Sequence, residues 1–323
     1  MKIATVGTSD ITRKMISAIR KKTDLPLQAV YSRDRERAKA FALEHGAPLW
    51  FDDLNAMAAC RDVDAVYIAS PNAFHFRQAK LFLEHGKHVL CEKPMTATKD
   101  EQDALYELAD RQGLILMEAI MPLWAPVFPA IKKALGEIGT VRAARLTYCQ
   151  LSSKYPAFLR GETPNIFNPA MQAGALMDIG VYPLYVAAAL FGKPDAVLSD
   201  AVFLSSGADA AGSVILKYGD KTVSVDYSKV AQGFAPSEIL GDAGTVQIDA
   251  VSQLGGVRIL RKDGQAVEIH GEADRDEVMG AEANAFMKLA LEGPSPLYDE
   301  ARTVAGTVRE ITDEVRRQNG FPF

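Results

Sequence analysis

One stretch of the chain ends an apolar run with residues that could do proton chemistry. The run His88-Val89-Leu90-Cys91 leads directly into Glu92, Lys93 and Pro94. Such a run suits a strand covered on both faces, and parallel sheets present ligands at the carboxyl ends of their strands. Proline would hold Lys93 on a stiff, extended corner. We expect this strand to deliver Glu92 and Lys93 into a cleft, although an edge strand with a solvated Glu-Lys pair shows the same pattern.

A second stretch places a carboxylate and a phenol four residues apart. Asp178 and Tyr182 lie in the apolar segment 174–183, which also contains Gly180 and Pro183. If the segment is helical, the two polar side chains share one face, and Pro183 implies a kink or a helix restart. Two interpretations stay open: a buried Asp-Tyr hydrogen bond that holds the kink, or a pair of catalytic side chains.

The lysine gives the tyrosine a chemical role. An ammonium about 4 Å from a phenolate stabilises it by up to roughly 4 kcal/mol at an effective dielectric of about 20, which lowers the pKa of the phenol toward neutrality. General acid-base catalysis of carbonyl reduction needs such a group. We therefore predict that the Lys93 ammonium and the Tyr182 hydroxyl converge on one cleft between two domains, within hydrogen-bonding or one-water reach.

The end of the first predicted strand has features of a phosphate-binding turn. A G-x-G-x-x-G loop needs a tight turn that aims backbone N–H groups and a helix N-terminus at a pyrophosphate. This chain keeps only the first glycine of that pattern, in Gly7-Thr8-Ser9-Asp10-Ile11-Thr12. We expect cofactor contacts from Gly7, Thr8, Ser9 and Ile11. Helix capping alone would also explain Ser9 and Asp10.

The end of the second strand bears on the choice between NAD and NADP. An acidic residue for the ribose hydroxyls is usual there, whereas this chain has Ser32 and Arg33. Arg33 and Arg37 could grip a 2′-phosphate through charge-assisted hydrogen bonds, so NADP is favoured and NAD remains possible. The carboxylate of Asp34 would oppose that phosphate. We interpret Arg35 as a solvated residue.

Further polar residues follow the fourth strand or lie at and before the fifth. Ser70, Asn72 and His75 are predicted cofactor contacts, although Asn72 could equally cap the next helix. The spacing of His85, His88 and Cys91 invites a metal interpretation. A helix end followed by a strand does not converge ligands as two turns of one helix do, so no metal site is expected.

The elements that must position these residues alternate in the first part of the chain. Apolar runs alternate with amphipathic stretches of about a dozen residues, as in βαβ units that build a parallel sheet. The predicted strands are 2–7, 27–32, 48–51, 64–70, 88–93 and 114–118, and the predicted helices are 11–22, 35–45, 74–85 and 99–111. Residues 1–119 are therefore predicted to form a doubly wound, dinucleotide-binding Rossmann domain of the α/β class.

The pattern changes in the remaining residues, 120–323. A helix at 127–135 precedes predicted strands at 141–151, 196–204, 212–218, 222–230 and 245–250. Consecutive strands joined by Gly-Asp and Ala-Gly turns indicate a mostly antiparallel sheet. Helices at 174–191, 277–292 and 299–318 would cover one face and leave an open-faced α+β substrate-binding domain. A second copy of the chain would cover the other face, so we predict a homodimer through this sheet.

Composition excludes several classes of function. The chain has 323 residues, 48% of them hydrophobic, with a net charge of −5 and an isoelectric point near 5.7. An acidic chain without a basic face is not expected to bind nucleic acid. Three cysteines without disulfide spacing indicate a reducing cytoplasm, and neither an export signal nor a membrane span is expected.

Taken together, these motifs resemble those of the Gfo/Idh/MocA oxidoreductase family. The resemblance rests on the Rossmann start, the Ser70-Pro71-Asn72-x-x-His75 and Glu92-Lys93-Pro94 motifs, Glu118-Ala119, and the Gly174-to-Pro183 segment. It implies a bound nicotinamide cofactor and hydride transfer to or from a sugar-like alcohol carbon. It also implies that Lys93 is catalytic, that Glu92 lies near the nicotinamide ribose, and that Asp178 and Tyr182 face the substrate.

The resemblance does not identify the substrate. Tyr182 stands where inositol dehydrogenases of the family carry a histidine, which points to the dihydrodiol and aldose branch, whereas 121–124 lack the arginine common in that branch. Tyr155, Arg160 and Asn165, on the long connection 152–172, are candidate substrate contacts. The leading hypothesis is an NADP-dependent oxidoreductase acting on a small sugar, polyol or diol. The alternatives are a nonenzymatic NAD(P)-binding sensor and a purely structural protein.

Overall fold

The computed structural model of the protein describes residues 1–271 and 273–322. The chain forms two compact units. The first consists of Met1–Ile120 with Asp276–Glu300, and the second of Met121–Arg275 with Ala301–Phe323. The sequence had placed the domain boundary after residue 119 and had assigned everything beyond it to the second domain.

The first unit contains a six-stranded parallel sheet in the order β3-β2-β1-β4-β5-β6. This is the strand order of a doubly wound dinucleotide-binding fold, so the predicted Rossmann architecture is confirmed. Its elements up to Ile120 are β1 (Ile3–Val6), α1 (Asp10–Lys22), β2 (Leu27–Tyr31), α2 (Arg35–Glu44), β3 (Leu49–Phe51), α3 (Leu54–Ala58), β4 (Ala65–Ile68), α4 (His75–Glu84), β5 (His88–Glu92), α5 (Lys99–Gln112) and β6 (Leu116–Ala119).

The central strands explain why the sheet forms. Every residue of β1 and β4 is buried, and Val89, Leu90 and Cys91 of β5 have no exposed surface. Helices on both faces therefore remove both sets of side chains from water, as continuous apolar runs require. The register pairs Val6 of β1 with Ile68 of β4, which brings the carboxyl ends of these strands to one edge of the sheet.

The second unit is built on an eight-stranded sheet in the order β14-β13-β12-β11-β7-β10-β9-β8. All neighbouring strands run antiparallel except β7 and β10, which pair in parallel. The elements after β6 are α6 (Met121–Trp124), α7 (Phe128–Leu135), β7 (Val141–Cys149), α8 (Tyr155–Leu159), α9 (Val181–Phe191), β8 (Ala196–Phe203), β9 (Asp209–Lys217), β10 (Thr222–Ser228), β11 (Ser237–Gly241), β12 (Gly244–Ala250), β13 (Gly255–Arg261), β14 (Ala266–His270), α10 (Arg275–Glu292) and α11 (Pro296–Asn319).

Burial alternates along the central strands of this sheet. In β10, Val223, Val225 and Tyr227 are buried, whereas Thr222 and Asp226 are exposed. This two-residue period shows that helices cover one face and leave the other open. The predicted open-faced α+β unit is confirmed, but the prediction that the helix at 277–292 covers this sheet is wrong, because that segment belongs to the first unit.

Helix α10 packs within the first unit, although it follows the whole second sheet in sequence. Lys21 near the end of α1 forms an ion pair with Asp276 at 3.0 Å. A Cβ atom on Gly280 would lie 2.4 Å from Cγ of Lys22, so the two helices approach closely at a position where any side chain would clash. This is a long-range contact of the kind that local sequence patterns do not predict.

One helical segment, Pro169–Phe191, is long and apolar enough to cross a membrane by length and composition alone. In the protein, 78% of its most apolar window is buried. Its hydrophobicity is therefore explained by its place in the core of the second unit.

Candidate functional site

The loop that carries Lys93 is fixed on both sides of the lysine. The hydroxyl of Tyr67, a fully buried residue of β4, donates a hydrogen bond of 2.5 Å to Oε1 of Glu92. After the lysine, the peptide bond to Pro94 is cis, and the backbone N–H of Met95 donates to Oε1 of buried Glu118 at 2.8 Å. Lys93 therefore leaves the carboxyl end of β5 from a backbone that its neighbours hold in place.

His75 links this loop to the loop after β4. Its Nδ1 lies 2.9 Å from the carbonyl oxygen of Pro94, and its Nε2 lies 2.7 Å from that of Ser70. Burial lowers the pKa of the imidazole, while the two carbonyls and the Glu118 carboxylate act in the opposite direction. Both ring nitrogens are thus directed at protein carbonyls. The structure gives His75 a supporting role behind Lys93, and direct contact with a cofactor stays a prediction.

Gly7 lies at the topological switch point of the sheet, between β1 and β4. Its φ of +112° is one that only glycine adopts readily, and a Cβ atom would lie 2.7 Å from the carbonyl oxygen of Ala69. A larger residue would fill this crevice, where dinucleotides bind in doubly wound folds. The first glycine of the predicted loop therefore fits a dinucleotide site, and no larger residue fits at this position.

The helix that follows Gly7 leaves its first turn open to a ligand. Ser9 is the N-cap residue of α1, yet its side chain makes no capping hydrogen bond. Its Oγ lies 3.2 Å from Oγ1 of Thr12 instead. Capping does not explain Ser9, and the backbone N–H groups of this turn suit a phosphate. The contacts predicted for Thr8, Ser9 and Ile11 remain predictions.

In the turn after β2, the carboxylate of Asp34 is hydrogen-bonded to the protein backbone. Oδ1 of Asp34 accepts a hydrogen bond of 3.0 Å from the backbone N–H of Arg37, which caps α2. Oγ of Ser32 accepts from the N–H of Asp34 at 3.3 Å. The cap on α2 therefore accounts for a carboxylate beside Arg33.

Arg77 of α4 is a basic residue that the sequence did not single out. Its guanidinium carbon lies 4.4 Å from the ring centroid of Phe74, and that of Arg33 lies 5.9 Å from the same centroid. The two positive charges both act to lower the pKa of Tyr31, which burial raises. A residue of α4 therefore adds to the positive charge at the end of β2, and only the fold brings it there.

We expect Arg33→Ala to weaken NADPH binding about tenfold or more while changing NADH binding by less than about twofold, because a lost charge-assisted hydrogen bond to the 2′-phosphate is worth about 1.5–3 kcal/mol. Fluorescence titration with both cofactors measures this. Arg35→Ala is the matched control, since Arg35 is exposed and lies 4.0 Å from Asp52. Equal losses for the two cofactors would contradict the role given to Arg33.

In the second unit, Asp178 lies in a wide helical turn directly before α9. The turn, Leu176–Gly180, is a single π-helical turn, and α9 begins at Val181 with Pro183 close to its start. The predicted helix restart therefore occurs before the proline, at the π turn, a feature often found at functional sites. Tyr182 is 6% exposed, and its ring meets that of Tyr148 edge-on, with centroids 5.7 Å apart.

Lys229, which follows β10, is the partner of Asp178 that sequence reasoning missed. Its Nζ lies 2.8 Å from Oδ2 of Asp178. The residue is only 8% exposed, and its backbone is held by hydrogen bonds to Ala210 and Ser152. A buried lysine paired with a carboxylate is costly unless the geometry is good, so this pair fixes the orientation of Asp178.

The three candidate substrate residues lie on a connection with more structure than a loop. Tyr155 begins α8 and packs against Phe167, with ring centroids 6.0 Å apart. Arg160 forms an exposed ion pair with Glu162 at 2.9 Å. Asn165 begins a 3₁₀ turn. Substrate contact by these residues remains a prediction, as does the convergence of Lys93 with Tyr182.

Two family models match the chain, one to each unit's main part. The model described as the oxidoreductase family with an NAD-binding Rossmann fold, GFO_IDH_MocA, matches residues 1–120. The GFO/IDH/MocA C-terminal domain model matches residues 132–247. The boundary between the two matches falls in the region where the strand pattern changes.

Individual relatives are similar to this chain over two thirds of its length or more. The chain is 41% identical to scyllo-inositol 2-dehydrogenase (NADP(+)) IolU of Bacillus subtilis, over 100% of this chain and 98% of that protein. It is 30% identical to trans-1,2-dihydrobenzene-1,2-diol dehydrogenase of Danio rerio, over 69% of this chain and 66% of that protein. Among solved structures, the 3-ketoreductase KijD10 of Actinomadura kijaniata, in complex with NADP and TDP-benzene, superposes with a TM-score of 0.83 at 25% identity, covering 97% of each chain. The chain therefore belongs to the Gfo/Idh/MocA oxidoreductase family.

Proposed function

We propose that this protein is an NADP-dependent oxidoreductase that interconverts a carbinol and a carbonyl in a small sugar, polyol or diol. The observation that carries the proposal is the position of Lys93 at the carboxyl end of β5, on a loop held by Tyr67, His75 and Glu118. That edge of a doubly wound sheet is where dinucleotides and their substrates bind. The family to which the chain belongs is described as an oxidoreductase family, which supports the same chemistry.

The side chains of this protein supply binding, orientation and proton transfer. When bound, the nicotinamide supplies or accepts the hydride at the carbinol carbon. Tyr182 exchanges the hydroxyl proton of the substrate as the general acid or base. Lys93 stabilises negative charge on the tyrosine and polarises the substrate oxygen. Glu92 contacts the nicotinamide ribose.

Asp178 orients the reacting hydroxyl groups in this proposal. Its carboxylate is held by Lys229 at 2.8 Å, so it presents a fixed acceptor. A carboxylate whose direction is set before the substrate binds loses little entropy when it accepts a substrate hydroxyl.

NADP is the proposed cofactor over NAD. Arg33 and Arg77 add positive charge at the end of β2, and the carboxylate of Asp34 is engaged in capping α2. IolU carries NADP(+) in its name, and KijD10 binds NADP in its structure. Gly7 and the open first turn of α1 would receive the pyrophosphate.

The proposal is tested by titration followed by turnover. Protein fluorescence is titrated with NADPH and NADH, and turnover is then scored at the absorbance band of reduced nicotinamide with a panel of sugars, inositols and diols. An inositol belongs in the panel because a relative that is 41% identical acts on scyllo-inositol. We expect tighter binding of NADPH than of NADH and turnover of at least one member of the panel.

Two outcomes would overturn this assignment in different ways. Binding of NADPH without turnover of any compound in the panel would favour the sensor. If neither NADPH nor NADH binds, both the enzyme and the sensor are excluded.

We also propose that the open face of the second sheet forms a homodimer. Leu198 and Val202 of β8 and Ile215 of β9 are 50%, 60% and 40% exposed, and Leu198 pairs directly with Ile215 across the two strands. Adjacent exposed apolar residues on a sheet face are characteristic of an interface. A second copy related by a two-fold axis would cover them.

Light scattering at micromolar concentration should therefore give the mass of a dimer. Ile215→Glu should shift the protein toward the monomer, because it would bury two unpaired carboxylates in a symmetric interface. Leu159→Glu is the matched control, since Leu159 is 67% exposed on α8, outside this sheet. A monomeric mass for the unchanged protein would exclude the dimer.

A reducing cytoplasm is the proposed compartment. Cys60, Cys91 and Cys149 are all free thiols, and Cys91 is buried in β5. Three unpaired cysteines suit a compartment that keeps thiols reduced.

A further inference from the structure

A buried carboxylate stands behind the segment that carries Asp178 and Tyr182. Asp209, the first residue of β9, is 1% exposed. Its Oδ2 accepts a hydrogen bond of 2.6 Å from the backbone N–H of Leu176, the first residue of the wide turn. Carboxylates are rarely buried to this extent without a partner cation. The side chain of Asp209 is thus placed to act on the backbone of the wide turn.

Gly174 shows how closely the carboxylate fits. A Cβ atom at this glycine would lie 1.9 Å from Oδ1 of Asp209, and the φ of +116° also requires glycine. The carbonyl oxygen of Gly174 in turn accepts the backbone N–H of Asp178 at 3.0 Å. Asp209 therefore lies against Gly174 and Leu176, in the backbone that leads into Asp178.

Several titratable groups act on Asp209 from the surrounding elements. Asp178 faces it from the wide turn, and Tyr227 faces it from β10. Asp200 of β8 also acts on Tyr227, while Lys229 pairs with Asp178 and donates its backbone N–H to Ala210, the residue after Asp209. Three carboxylates and one ammonium are thus linked within the second unit.

Burial is the main influence on the charge of Asp209. It raises the pKa of this carboxyl from 3.8 to about 7, and the negative charge of Asp178 acts in the same direction. The backbone N–H groups of Leu176 and Ala175 act in the opposite direction, because they favour the ionised form. Oδ1 has no hydrogen-bond partner within residues 1–271 and 273–322, so it is the oxygen that can take the proton.

We propose that Asp209 is a positioning residue whose ionised carboxylate holds the Asp178–Tyr182 segment in its working conformation and whose protonation loosens that hold. An ionised acceptor makes a stronger hydrogen bond to a backbone N–H than a neutral acid does, and a negative charge is favoured at the start of a helix. The inference rests on the proposed function, since it assigns the held segment to catalysis. The effect of Asp209 on the conformation of this segment can be measured without turnover.

The first test is hydrogen exchange followed by mass spectrometry on peptides that cover 174–182. The relevant exchange occurs through local opening, in which Asp209 stays buried and loses only its hydrogen bond from Leu176. After correction for the intrinsic pH dependence of exchange, protection against this opening should be about fivefold higher near pH 8 than near pH 6. In Asp209→Asn, whose amide oxygen can still accept the Leu176 N–H, this difference should disappear. Asp200→Asn is the control, since Asp200 is exposed, and it should behave as the unchanged protein does. Equal protection at both pH values in the unchanged protein would overturn the proposal.

Stability provides a check on the charge of Asp209. Because folding raises the pKa of this carboxyl from 3.8 to about 7, its contribution to stability is complete below about pH 4 and is lost as the pH rises to about 7. Asp209→Asn should therefore remove part of the decline in stability between about pH 4 and pH 7 that urea unfolding detects. A decline of the same size in the variant would show that Asp209 does not titrate in this range.

The catalytic readout separates positioning from structure. For a substrate found in the panel, kcat is measured in the direction of carbonyl reduction, in which Tyr182 acts as the acid and stays active at low pH. This kcat should fall below about pH 7 in the unchanged protein, and the acidic limb should be absent in Asp209→Asn. A residue with only a structural role would change stability and leave the limb in place, which would refute the proposal. A further outcome is that exchange protection changes with pH as expected while no substrate is turned over. In that case the proposed function is refuted, and the effect of Asp209 on the 174–182 segment is still supported.

Discussion

Lys93→Met should lower turnover by about 10²–10⁴-fold and leave NADPH binding within a few-fold, because a positioned proton-transfer system contributes about this factor. Methionine has nearly the length of lysine but no charge. Glu92 would still be held by Tyr67 and Met95 by Glu118, so the loop should keep its shape. Steady-state rates and cofactor titration on the same preparation measure the two effects separately.

Lys80→Met is the matched control for this experiment. Lys80 lies on α4, is 53% exposed at its side chain and makes a 3.8 Å ion pair with Glu84. An exposed pair of this kind contributes little, so the control should retain both turnover and binding. Retained turnover in Lys93→Met would remove the mechanism, and loss of cofactor binding along with turnover would show that the lysine serves binding instead.

The sequence predicted the first unit well because its signals are local. Strands such as β4 and β5 are continuous apolar runs, and each is followed by a turn residue and an amphipathic helix. The carboxyl ends of parallel strands meet at one edge of the sheet, so the sequence alone indicates that the residues after β1 and after β5 lie at the same edge. The sequence also predicted an irregular helix, because of Pro183, but it did not predict a π turn at Leu176–Gly180.

The elements that the sequence missed lack such signals. Strand β14 has only five residues and is mostly exposed, and α3 also has only five residues. Strands β11 and β13 were also not predicted. The parallel pairing of β7 with β10 joins strands far apart in sequence, so no turn motif predicts it. Local patterns carry no information on such pairings.

Two residues of the candidate site were missed for a related reason. Lys229 follows a strand and has the appearance of a surface lysine, and Asp209 lies in a stretch of small residues where carboxylates are ordinary. Their importance comes from burial and from partners, Asp178 and Leu176, that only the fold brings near. Perturbed and buried charges of this kind mark functional regions, yet they are properties of the folded chain.

Tyr182→Phe tests the other half of the proposed chemistry. Removing the hydroxyl should lower kcat by about 10²–10⁴-fold, because the substrate proton loses its acid or base. The ring remains, and with it the edge-on contact to Tyr148 at 5.7 Å, so folding and cofactor binding should be unchanged. Tyr148→Phe is the control, since it removes a hydroxyl from the neighbouring ring. A variant with full turnover would assign proton transfer to another group.

The double variant Lys93→Met/Tyr182→Phe decides whether the two residues serve one step. Residues that act as a unit are strongly non-additive, so the second substitution should cost less than about tenfold beyond the first. If the two losses multiply in full, the lysine and the tyrosine act independently, and the charge of Lys93 does not activate Tyr182. A shared loss would instead tie the end of β5 to the start of α9 in a single proton-transfer step, which is the chemistry that an ammonium beside a tyrosine makes available near neutral pH.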